Sequence, residues 1–179
     1  MEILVIILMV LISAAVIVFG VISHMKKTER EKYYVAAENI LREDFLNYSL
    51  KNPLNNDGAL QPPKGQKTMI YIKSKSGGKK VQFVFDPEKR IMIGRDKFNS
   101  NIYINEAFVS QQHCCIFSVD DEIYLQDLNS ENGTMLNRGL LKRYTLFDGQ
   151  CIRLRSNDSI IIGFNKFKIT LFYFDMALM

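Results

Sequence analysis

Residues 110–137 read SQQHCCIFSVDDEIYLQDLNSENGTMLN, and the fold is decided there. Residues 115–119 and 123–126 are strand-like runs joined by Asp120-Asp121-Glu122, a turn signal, so they read as an antiparallel hairpin. Ser110-Gln111-Gln112-His113 opens this stretch, and Asp127-Leu128-Asn129-Ser130-Glu131-Asn132-Gly133-Thr134 closes it, with Asn137 three residues on. Just upstream, the apolar run 90–93 ends on Gly94-Arg95. Each polar piece sits where a predicted strand starts or stops, so all three fall on loops at sheet edges. Loops held by a rigid sheet are where binding groups collect. An arginine, a serine hydroxyl and an asparagine amide together can hold a phosphate and the extended chain that carries it. The guanidinium gives forked, charge-assisted donors, the hydroxyl one more donor, and the amide both a donor and an acceptor.

The same pattern continues on both sides. Residues 68–73 and 81–85 alternate around Ser76-Gly77-Gly78-Lys79, a hairpin-like connection. Runs 90–93 and 102–104 precede the central hairpin, and 134–136, 141–144, 151–154, 159–162 and 166–174 follow it. Many short strands separated by Gly, Asn and Asp turns predict an all-β sandwich or barrel, not an α/β fold. About 110 residues are enough to bury a useful core.

Taken in order, Gly94-Arg95, Ser110-Gln111-Gln112-His113 and Asn132-Gly133-Thr134 with Asn137 resemble the forkhead-associated (FHA) domain family. The resemblance runs from about residue 67 to 175. It implies an FHA-like β-sandwich of about eleven strands that binds phosphothreonine peptides and catalyses nothing. By that resemblance Arg95 and Ser110 meet the phosphate, Asn132 holds the peptide backbone, and Gln111 and Glu131 lie beside the peptide. Lys97 adds charge at longer range. Gly94, His113, Gly133, Thr134 and Asn137 shape the loops, His113 by hydrogen bonding. Four departures stand out: Gln111 where some members have Asn or Arg, Glu131 where some have Thr or Ser, Arg138 between Asn137 and Gly139, and Gln150 after Asp148-Gly149. If Arg138 lengthens the turn, Gly139 takes the positive φ. Preference for residues after the phosphothreonine is expected to depend on the loop surfaces around 137–143.

The other end of the chain is different. Residues 3–22 are 20 consecutive, mostly apolar positions without charge, about the length that crosses a bilayer's hydrocarbon core. A cleaved signal peptide would carry a positive n-region and a shorter core. Here Lys26 and Lys27 follow the apolar run, which predicts an uncleaved anchor with the later residues on the cytoplasmic side. Residues 24–50 read as a juxtamembrane helix: Tyr34, Ala37, Leu41, Phe45 and Tyr48 recur at helical spacing, and Thr28 with Glu31 forms a capping-box pattern. Asn, Gly and Pro clusters make 51–66 a linker. The expected organisation is therefore an anchor at 1–23, a helix at 24–50, a linker at 51–66 and an FHA domain at 67–179. The protein is expected at the cell membrane as a single-pass chain, and resembles the single-span FHA proteins of Gram-positive bacteria that work beside receptor-type Ser/Thr kinases.

Net charge is +4, mild enough to favour an acidic, phosphorylated partner. Lys79, Lys80, Arg153 and Arg155 are scattered without interleaved aromatics, which argues against a nucleic-acid or anionic-lipid binder built on those four residues. Three cysteines, an odd number without metal-ligand spacing, suit a reducing compartment and read as small buried hydrophobes. No metal, cofactor or catalytic residue is expected, since no nucleophile or carboxylate pair stands at a recognisable spacing from a base. Two functions remain. The chain recruits phosphothreonine-containing proteins, such as a receptor-type kinase or its substrates, to the membrane. Alternatively it is a phosphate-independent scaffold in a membrane complex, a reading that Glu131 supports.

Overall fold

The computed structural model describes residues 2–51, 65–76 and 79–178. Most of the predicted linker, residues 52–64, and the Gly77-Gly78 turn lie outside the described residues.

A single helix, α1 (Glu2–Lys51), runs for 50 residues. No break separates the predicted anchor from the predicted juxtamembrane helix. No proline interrupts residues 2–51, and helix propagates wherever nothing stops it. Thr28 is consequently not an N-cap; its hydroxyl donates back to the His24 carbonyl at 3.1 Å. The apolar stretch of α1 is long enough to cross a membrane, and its large side chains from Ile3 to Ile22 are exposed.

The chain divides into two compact units, Met1–Ala36 and Ala37–Met179. The second holds the end of α1 and a sandwich of eleven strands: β1 (Gln66–Ser76), β2 (Lys79–Phe85), β3 (Ile91–Gly94), β4 (Ile102–Tyr103), β5 (Cys114–Val119), β6 (Glu122–Asp127), β7 (Thr134–Arg138), β8 (Lys142–Leu146), β9 (Cys151–Arg153), β10 (Ser159–Ile162) and β11 (Asn165–Asp175). One sheet has the order β2-β1-β11-β10-β7-β8 and the other β4-β3-β5-β6-β9. Only β3 and β4 pair in parallel among the ladders described. The β5–β6 hairpin turns as its sequence requires: Asp120 and Asp121 adopt φ of 50° and 61°, the left-handed pair that a tight hairpin needs.

Alternation fills the space between the sheets. Ile70, Ile72, Ile93, Ile116, Leu125, Leu136, Ile160 and Ile169 belong to one core. On the outer face of β1 and β11, Met69, Tyr71, Phe172 and Phe174 are buried as well, and so are Ala37 and Leu41 of the helix tail. Asp44 of that tail pairs with Lys89 in the β2–β3 turn. The stripe read from the sequence is therefore the buried side of the tail at Ala37 and Leu41.

The ladders also fix which end is which. β7 leaves Thr134 and pairs with β10 so that Ile161 faces Met135 and Ser159 faces Asn137. The loops before β7, between β3 and β5 and between β10 and β11 therefore share one end. Gln66, paired with Asp175, and the β7–β8 turn are at the other.

Candidate functional site

Three loops are stitched together at the first end. Gly94 ends β3 because nothing larger fits: a Cβ there would run into the backbone carbonyl of Gln111. That close approach lets Arg95 N–H donate to the Ser110 carbonyl at 2.9 Å and Asp96 N–H to the Gln111 carbonyl at 3.0 Å. The Arg95 side chain is fixed at its root, Nε donating to the Val109 carbonyl at 3.0 Å. The outer guanidinium nitrogens have no partner among the described residues, and the residue is exposed.

Ser110 is bound on its acceptor side. Its Oγ accepts the Glu131 N–H at 3.1 Å, leaving the hydroxyl proton to donate outward. Asn132 is bound on its donor side, Nδ2 to the Phe108 carbonyl at 2.9 Å, so the amide oxygen faces outward as an acceptor. The three predicted groups, Arg95, Ser110 and Asn132, are thus joined through residues 108–110. Glu131 lies directly beside them, and Gln111 is exposed on the same loop. Lys97 is exposed in the turn after Arg95, where Asp96 Oδ1 accepts the Phe98 N–H at 2.9 Å.

Below them a buried polar layer holds the loops. His113 is fully buried. Its Nδ1 accepts the Ser110 N–H at 3.2 Å and its Nε2 lies 3.2 Å from the Gly133 carbonyl, which is the neutral, Nε2-protonated tautomer. Burial holds its pKa below the ordinary histidine value, partly offset by the Gly133 carbonyl. Gly133 has φ of 72°, and a Cβ there would strike the Phe147 ring. Thr134 Oγ1 and Ser130 Oγ both donate to Asp127 Oδ2, at 2.7 and 2.6 Å, and Ser130 N–H to Oδ1 at 3.0 Å. Asp127 is itself fully buried, so these donors offset its desolvation. The Asp127–Ser130 spacing of three is the sequence signal for this bond.

Asn137 does not join the site. Its Oδ1 accepts Arg143 Nε at 3.2 Å across the β7–β8 hairpin, and Gly139 has φ of 66° in the turn beyond. The surfaces around 137–143, expected to set peptide preference, lie at the opposite end of the sandwich, because β7 runs away from Thr134. The side chains beside the site are instead Phe108 and Phe164, an edge-to-face pair with centroids 5.9 Å apart, 57% and 84% exposed. They come from loops 56 positions apart, and no local pattern announced them.

Cys114 and Cys115 are buried as expected, but Cys151, where β9 starts, is exposed and is not the small buried hydrophobe the sequence suggested. Cys114 is in the core. Cys115, on the other face, has its pKa raised by burial although Arg90 Nε lies 3.1 Å from its sulfur. Among the described residues no group of acidic, histidine and cysteine side chains could hold a metal ion.

The FHA domain family model matches residues 91–163, a span that starts with β3 and ends in the β10–β11 turn. An FHA domain-containing protein of Arabidopsis thaliana is 32% identical over 99 residues, covering 54% of this chain and 25% of that protein. The match thus spans about a quarter of that relative's length. A solution structure of the FHA domain of an Arabidopsis thaliana hypothetical protein covers 66% of this chain and 96% of its own, at 23% identity and a TM-score of 0.51. Mycobacterium tuberculosis EmbR, solved with a low-affinity phosphopeptide, aligns over 57% of this chain and 24% of its own, at 20% identity and a TM-score of 0.45.

Proposed function

We propose that this chain, which carries an FHA domain across residues 91–163, is a membrane-anchored reader of phosphothreonine. FHA domains bind phosphothreonine peptides, and here the single observation that carries the reading is Arg95. Its root is bonded to Val109 while its charged end is left open beside a serine whose hydroxyl proton is also uncommitted. Two donors of that kind fit a dianionic phosphate. The Asn132 amide oxygen then receives an N–H of the extended peptide. This is binding and not catalysis. The partner class is a phosphothreonine-bearing protein, with a receptor-type Ser/Thr kinase or its substrates as candidates.

The long apolar helix supports anchoring, with the domain on the cytoplasmic side as Lys26 and Lys27 indicate. The second reading, a scaffold that needs no phosphate, is favoured by Glu131. Its exposed carboxylate stands one residue from Asn132 and its backbone is bonded to Ser110, so it adds negative charge where the phosphate would sit. A phosphothreonine peptide library screened against the full chain in detergent, beside the same library dephosphorylated, separates the two. Retention only of phosphorylated sequences supports the reader. Equal retention of both supports the scaffold.

A further inference from the structure

Hairpin tips of soluble proteins are normally polar, and the β7–β8 tip is not. It reads Arg138-Gly139-Leu140-Leu141-Lys142-Arg143, and Leu140 and Leu141 are fully exposed, at 103% and 96%. Nothing in the sandwich draws on them. The base beneath them is bonded to the sandwich. Arg138 Nε lies 3.1 and 3.3 Å from the two oxygens of Asp158, its outer nitrogen lies 2.8 Å from one of them, and it caps the Arg153 carbonyl at 2.6 Å. Asp158 is almost wholly buried. The tip is therefore held out on a fixed stem. Lys142 and Arg143 are exposed beside it, putting two positive charges immediately behind two bare leucines. It stands at the end of the sandwich where the chain enters at Gln66, opposite the Arg95 site.

We propose that Leu140 and Leu141 are a bilayer wedge, entering the headgroup and acyl boundary of an anionic membrane while Lys142 and Arg143 meet lipid phosphates. Two leucines are far too little surface for a stable protein interface, which buries roughly 1,000 Å² or more. They suffice for a lipid surface if the domain is already tethered, since a tether makes the second contact intramolecular. Apolar residues backed by Lys and Arg are the composition of interfacial anchors. The acids of the β5–β6 turn, Asp120 and Asp121, belong to the other sheet, so the tip itself is the part that suits an anionic surface. The proposal rests on the reading of α1 as a membrane span.

The chain has no tryptophan, which makes a single introduced one a clean reporter. Full-length Leu141→Trp would be reconstituted into phosphatidylglycerol–phosphatidylcholine vesicles, with and without brominated acyl chains, and Phe19→Trp would be prepared alongside. Blue-shifted emission from Leu141→Trp that loses most of its intensity to brominated lipid, and regains it when Lys142→Glu and Arg143→Glu are added, supports the wedge. Solvent-like, unquenched emission overturns it. So does blue-shifted emission that brominated lipid leaves intact, which would mean a second copy or another protein surface covers the tip. Quenching of Phe19→Trp but not Leu141→Trp overturns the wedge alone. If Phe19→Trp is unquenched too, the membrane span and the wedge both fail.

Discussion

Arg95, Ser110 and Asn132 each spend one hydrogen-bonding function on the scaffold and leave another open, so under the proposed phosphopeptide binding their substitutions should differ in kind. Arg95 supplies the charge, and a hydrogen bond to a charged group is worth roughly 1.5–3 kcal/mol. Arg95→Ala should therefore weaken a phosphothreonine peptide at least about tenfold. Ser110→Ala should cost less, because the lost donor is neutral, although Glu131 N–H also loses its acceptor. Asn132→Ala should weaken the phosphothreonine peptide without changing the preference for it over its unphosphorylated twin, since the amide is placed to hold backbone. Phosphoserine should bind less well than phosphothreonine, by about the 0.8 kcal/mol that one buried methyl contributes. His113 makes a pH prediction. Burial lowers its folded pKa below the unfolded value of about 6.5, so the unfolded chain takes up the proton first. The contribution is fully present above about pH 6.5 and is lost as pH falls towards the folded value. Protonation of Nδ1 would also eject the Ser110 N–H from its acceptor. Urea midpoints should drop between about pH 7.5 and 5.5, and His113→Ala should show a smaller drop from a lower start. An unchanged midpoint in the parent protein would refute the neutral, buried role.

At the scale of elements, the strands were legible because their turns are. Asp120-Asp121 and Gly139 can take positive φ, and the runs between turn signals are too short for helices. The convergence of Arg95, Ser110 and Asn132 was legible because they lie at strand ends. Helix continuity was not, since Thr28 and Glu31 match a capping pattern that only the preceding backbone disqualifies. The Phe108–Phe164 pair was hidden for another reason: the contact depends on sheet topology joining two distant loops. Its position beside Asn132 predicts that Phe164→Ala will flatten preference for an apolar residue flanking the phosphothreonine while leaving phosphate dependence intact. An oriented phosphopeptide library read with parent and variant would show this. An unchanged preference would remove the pair from the recognition surface. The helix tail makes a stability prediction. Leu41 is 5% exposed, so Leu41→Ala should destabilise by about 2–4 kcal/mol. A fragment beginning at residue 67 should likewise be less stable than one beginning at residue 26. Equal urea midpoints would mean the tail contributes nothing to the sandwich.

The whole molecule combines an apolar helix in its first unit with an eleven-stranded sandwich in its second. Full-length protein should stay with membranes through a high-salt wash, and a chain beginning at Lys26 should be soluble. A reporter fused after Met179 should be found in the cytoplasm; secretion of the domain would contradict the orientation. One titration tests phosphate reading through Arg95. A phosphothreonine peptide and its unphosphorylated twin would be titrated calorimetrically into the full chain and into Arg95→Ala. Phosphate reading through Arg95 predicts binding of the phosphorylated peptide, little or none of its twin, and at least about a tenfold loss with Arg95→Ala. Equal affinity for both peptides, untouched by Arg95→Ala, would contradict it and leave the phosphate-independent scaffold in its place.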